Sequence, residues 1–157
     1  MTPPITLTLP DEAATHALAA RAAGLARPGD AILLEGPLGA GKSAFARAFL
    51  RAAAGDPGLE VPSPTFTLVQ SYDLPGRTAH HLDLYRLDGP GGLVELGWDD
   101  LREGILLVEW PDRLGEWAPA DALRLRLTPA GDADARDAAL SGWDAPRLAA
   151  LAAAVAV

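Results

Sequence analysis

The strongest chemical signal in the chain is Gly36-Pro37-Leu38-Gly39-Ala40-Gly41-Lys42-Ser43, a G-x-x-x-x-G-K-S string. Glycines at these spacings let the backbone curl so that successive N–H groups converge on phosphate oxygens, and a following helix adds positive potential at its N-terminus. Lys42 is a compact point charge suited to reach between β- and γ-phosphates. Ser43 offers a hydroxyl to Mg²⁺. Lys42 is also the sole lysine among 13 basic residues, which marks a position where arginine does not serve.

An ATP-splitting site needs an acid near the metal and a group that orients water. Ile105-Leu106-Leu107-Val108-Glu109 is an apolar run ending in an acid, as expected at the C-terminal end of a buried strand. Asp83, in Leu82-Asp83-Leu84-Tyr85, is the second acid. Period-two alternation puts His81, Asp83 and Tyr85 on one face and His80, Leu82 and Leu84 on the other, so the two histidines do not share a metal. Thr65, in Ser63-Pro64-Thr65, is either a γ-phosphate-sensing hydroxyl or the β-branched start of a strand. Trp110 either covers the nucleotide or a partner, or packs, and Trp98, Trp117 and Trp143 read as packing.

The elements that position these residues follow from pattern. Residues 5–9 alternate like an edge strand, and Asp11 caps a helix that runs to about residue 26. Residues 31–34 form an apolar strand buried on both faces, and a helix over 42–54 follows the glycine loop. Strands over 65–73 and 78–85 make a hairpin through Leu74-Pro75-Gly76-Arg77. Short helical pieces run to about residue 102, and residues 105–108 form a second buried strand. Residues 123–127 alternate Arg and Leu and pair with 136–140 before a last docked helix. One α/β domain with a mixed sheet results.

Composition excludes several classes. The 157 residues are 49% apolar and contain no cysteine, which rules out disulfides, thiolate zinc sites and thiol catalysis. A formal charge of −8 argues against a basic groove for nucleic acid, leaving RNA to be reached through a partner. The N-terminus lacks a secretory pattern and the C-terminal apolar run is too short to span a bilayer, so a cytoplasmic protein is expected. The chain has no asparagine, hence no N-K-x-D guanine element, and Leu140-Ser141-Gly142-Trp143 stops short of an ABC signature. ATP is the expected nucleotide.

In order, Leu9-Pro10-Asp11-Glu12 with Thr15, GPLGAGKS, SPTFTLV, LDLYRL, Glu95-Leu96-Gly97 and LVEWP resemble the TsaE family, the small bacterial ATPases of tRNA threonylcarbamoyladenosine biosynthesis. The likeness covers residues 9–111, about two-thirds of the chain. It implies a three-layer α/β fold of the phosphate-loop NTPase kind, slow Mg-ATP hydrolysis, and an accessory role to the TsaB and TsaD proteins. It further implies Mg²⁺ contacts from Ser43 and Glu109, with catalysis by Lys42, Asp83 and Glu109. Nucleotide contacts fall on Leu38, Gly39, Ala40, Gly41, Lys42, Ser43, Thr65, Trp110, Asp11 and Arg136. Ser43 stands where Thr is common, Phe66 replaces a usual Tyr, and Leu82 a usual Phe. The rival readings are a small-molecule kinase and a nucleotide-dependent binding switch. The kinase would need converging lid arginines, and residues 89–104 hold only Arg102.

Overall fold

The computed structural model describes residues 4–64, 67–87, 91–131 and 133–155. Seven strands form one sheet: β1 (Ile5–Leu9), β2 (Ala31–Glu35), β3 (Val69–Leu74), β4 (Arg77–Asp83), β5 (Ile105–Glu109), β6 (Leu123–Pro129) and β7 (Arg136–Ser141). Their spatial order is β1-β7-β6-β2-β5-β4-β3. The central strands β4, β5, β2 and β6 run parallel, while β3 and the β7–β1 pair add antiparallel edges. The expected mixed sheet and the pairing of β6 with β7 are both present.

One face carries the long helices α1 (Glu12–Leu25), α2 (Lys42–Ala54) and α5 (Ala145–Val155). Alanines 19, 22, 23 and 46 are buried in that core, small enough to let α1 and α2 pack closely. Phe45 and Phe49 are fully buried beneath α2, and truncating either to Ala costs about 3–5 kcal/mol. The other face is covered by α3 (Gly92–Glu95), α4 (Trp98–Leu101) and a 3-10 segment, Pro111–Trp117. Leu82, Leu84, Leu93, Trp98, Val108 and Leu114 fill this second core. The third layer spans only the centre of the sheet. On β6 the leucines face the long helices while Arg124 and Arg126 stay exposed on the other side, as their alternation requires.

Two strand boundaries differ from the sequence-based expectation. The first hairpin strand begins at Val69, because Leu68 adopts φ +67 and its N–H closes a 2.7 Å turn onto the Pro64 carbonyl. The second ends at Asp83 and not Tyr85. Asp83 Oδ1 accepts from the Tyr85 N–H at 3.0 Å and turns the chain out of the sheet. Alternation therefore holds for His81 and Asp83 but stops before Tyr85. Trp98 and Trp143 are buried, and the exposed Trp117 meets Trp98 in a tilted contact, 6.4 Å between ring centroids. No helix among the described residues is long and apolar enough to cross a membrane.

Candidate functional site

The site forms where β2, β5 and β4 end side by side. Parallel pairing puts Leu34 opposite Glu109, and Glu109 opposite Asp83. The chain leaves β2 through the glycine loop and enters α2 directly above these strand ends. Gly36 has φ +142, and a β-carbon there would run into the Leu127 carbonyl of β6, so only glycine lets the loop pass so close. Gly41 sits at the N-cap of α2 with φ +102. No side chain caps α2, and its first turn contains no acid. The leading N–H groups of that helix lack intrahelical acceptors and are left for an anion.

Arg136, on β7, holds this loop from the side. Its Nε donates to the Ala40 carbonyl at 2.7 Å and its Nη2 to the Gly39 carbonyl at 3.2 Å. Its Nη1 donates to Ala133 and Ala135. With carbonyls turned toward the guanidinium, the loop is fixed from behind. Leu38, at its crest, is 74% exposed.

Lys42 is 5% exposed. Its ammonium donates to the Gly36 carbonyl and lies 3.5 Å from the centroid of the Trp110 ring. Burial pushes its pKa below the ordinary lysine value, opposed by the carboxylates of Glu109, Asp83 and Asp112. Trp110 has φ +60 and packs against Tyr85 at 5.0 Å between centroids. Trp110 thus packs against Tyr85 and lies over the loop lysine.

Ser43 Oγ donates to Glu109 Oε1 at 3.0 Å. The other carboxylate oxygen, Oε2, bonds His81 Nε2 at 2.7 Å. Glu109 and Asp83 are 3% and 7% exposed, so the fold keeps two acids out of bulk water next to one lysine. Among the described residues no three His, Asp or Glu side chains form a cage for a metal. A hard cation held by Ser43 and Glu109 must complete its oxygen shell from a ligand and water, as Mg²⁺ does beside phosphates.

The structure thus brings together Gly39, Ala40, Gly41, Lys42, Ser43, Asp83, Glu109 and Trp110, with Arg136 behind the loop. Asp11 caps α1, its Oδ1 accepting from the Ala14 N–H at 2.9 Å. Thr65 lies outside the described residues. Two features escaped the sequence reading. His81 was placed on the face of Asp83 but given no partner, since strand register is not local. A groove of about 590 Å³ also opens between Gly36, Pro37, Trp110, Asp112 and the exposed Arg124 and Arg126. The Arg–Leu alternation showed that these arginines are exposed, but not that they border the loop.

The family model described as "Threonylcarbamoyl adenosine biosynthesis protein TsaE" matches residues 9–138, which carries the likeness past Trp117 to include Arg136. A Rickettsia conorii relative, named tRNA threonylcarbamoyladenosine biosynthesis protein TsaE, is 40% identical over 67% of this chain and 60% of its own length. The chain thus spans somewhat under two-thirds of that relative. The Bacillus subtilis protein of the same name is 36% identical over 75% of this chain and 73% of its own. The crystal structure of Bacillus subtilis YdiB superposes with a TM-score of 0.76 and 29% identity, covering 99% of this chain and 95% of that one. With the family model matched across most of its length, the chain belongs to the TsaE family of threonylcarbamoyl adenosine biosynthesis proteins.

Proposed function

We propose that this protein is an accessory ATPase of bacterial tRNA N6-threonylcarbamoyladenosine modification, binding and slowly hydrolysing Mg-ATP to support turnover of a TsaB–TsaD complex. The observation that carries the reading is the Lys42–Ser43–Glu109 constellation on an uncapped helix N-terminus. The names of the relatives supply the pathway, and the net charge of −8 suits a protein that meets tRNA through partners.

In this reading the N–H groups from Leu38 to Ser43 and the Lys42 ammonium hold the phosphates. The hydroxyl of Ser43 and the carboxylate of Glu109 hold Mg²⁺. Both are hard oxygen donors, already 3.0 Å apart, and their number leaves room for phosphate oxygens. When bound, the ion withdraws charge from the phosphate oxygens. Asp83, opposite Glu109 in the register, orients the attacking water. As the water oxygen forms its bond to the γ-phosphorus, the bond to ADP breaks and the released proton passes toward these carboxylates or solvent. Trp110 shields the lysine, Thr65 senses the γ-phosphate, and Arg136 braces the loop through the Gly39 and Ala40 carbonyls.

The test is Mg-ATP hydrolysis by the purified protein, alone and with TsaB–TsaD added. The expected result is slow turnover alone that changes when the complex is present. A protein that neither binds the complex nor changes its turnover in its presence would overturn the accessory reading and favour the kinase.

A further inference from the structure

His81 is 2% exposed and has no part in the mechanism above. It stands on β4 two residues before Asp83, opposite Leu107 of β5, on the sheet face covered by the long helices. Its Nε2 lies 2.7 Å from Glu109 Oε2. An ionised carboxylate can only accept, so Nε2 carries the proton and donates. The other ring nitrogen, Nδ1, is buried without a hydrogen-bond partner among the described residues. A histidine kept only to fill the core would need both nitrogens satisfied, and an apolar side chain would fill that space at lower cost. The ring's single polar contact is therefore what this position supplies.

That contact settles the geometry of Glu109. A glutamate at a strand end has three rotatable bonds, and here each oxygen is assigned. Oε2 is tied to the rigid centre of the sheet through His81, and Oε1 is turned toward Ser43 at the start of α2. We infer that His81 is a positioning residue which fixes the Glu109 carboxylate so that its Oε1 edge is presented to the divalent cation and nucleotide. This rests on the Mg-ATP reading proposed above. Ligands to a metal are commonly oriented by such buried outer partners.

Three variants test it by steady-state ATP hydrolysis and by calorimetric ATP binding with Mg²⁺ and with EDTA. In H81Q the amide nitrogen can take the place of Nε2. In H81N the shorter amide stops short of Glu109, and H81L removes the donor. H81N and H81L are expected to lower kcat and the Mg²⁺-dependent part of ATP affinity by about 10- to 100-fold, with EDTA-state binding within about twofold. H81Q is expected to recover most of both losses. Equal behaviour of H81N and the wild type, or of H81Q and H81N, would overturn the inference. So would losses that fall equally on EDTA-state binding, the mark of a purely structural role. If H81L fails to fold, the Gln and Asn pair still decides. A wild-type protein that binds no Mg-ATP would overturn the site reading itself, and is recognised before any variant is compared.

Discussion

Helices α1 and α2 pack against each other, yet their N-termini are built in opposite ways. At α1 the donors are satisfied from within: Asp11 accepts from Ala14, and Glu12 places a second negative charge in the first turn. At α2 the cap is a left-handed glycine without a side chain, no acid is nearby in sequence, and a lysine occupies the first helical position. A cation there opposes the helix dipole, and this one is also buried. The fold gives up cap, dipole and solvation energy at one end and none of them at its neighbour. That contrast supports the proposed phosphate site: in that reading, what α1 gains from Asp11 and Glu12, α2 gains from a ligand's phosphates.

Removing the charge at the open end has the largest expected effect. Lys42→Ala should lower ATP turnover by about a thousandfold, the scale seen when a developing oxyanion loses its donor. Because a buried cation is lost, its melting temperature should match or exceed that of the wild type. Normal phosphate release by this variant would sink the site assignment. Glu109→Gln comes next, with hydrolysis about a hundredfold lower and the metal-independent part of ATP binding retained. If Glu109→Gln hydrolyses ATP normally, the carboxylate holds the metal without assisting the reaction.

The contrast between the two ends was legible because both rest on local sequence. Asp11 ahead of an alanine-rich run predicts a cap, and Gly41-Lys42-Ser43 after a buried strand predicts an open phosphate loop. The central strands β2 and β5 were legible for a similar reason, since apolar runs of that length fit strands covered on both faces. What depended on pairing was not. Alternation put His81 and Asp83 on one face, but only the β4–β5 register brings His81 to Glu109. Arg136 reaches loop carbonyls 96 and 97 residues away, a contact no local pattern encodes. The hairpin boundaries moved because single residues broke the strand. Leu68 takes a backbone conformation uncommon for leucine, and the Asp83 side chain bonds its own chain two residues on.

At the closed end the expected effect is smaller and falls on stability. Asp11→Ala should cost about 1 kcal/mol, the usual worth of an N-cap, and lower the melting temperature by about 2–4 °C. Asp11→Asn, which keeps the capping oxygen, should recover most of that loss. Recovery by Asn separates the cap from any role of the charge. A loss shared by both variants would mean that the negative charge at this helix end, not the hydrogen bond, is what matters.

The smallest effect is a pH dependence confined to the open end. Burial lowers the pKa of Lys42 in the folded protein, while in the unfolded chain it titrates near the ordinary lysine value of 10.5. Between the two values the unfolded chain binds more protons, so the lysine's contribution to unfolding free energy rises with pH in that window. Below the folded value its desolvation cost is fully present, and it is relieved as the pH climbs toward 10.5. Lys42→Met, which keeps the length of the side chain and removes the charge, has no such term. Urea unfolding of both proteins at pH 8 and again near pH 10 should therefore show the variant's stability advantage shrinking as pH rises. Saturating ATP in place of the pH change should shrink it too, because phosphates neutralise the same ammonium and stabilise the wild type by binding. An advantage that stays constant with pH and ATP would mean that burial does not penalise the Lys42 ammonium, and that the open end of α2 is not held in reserve for an anion.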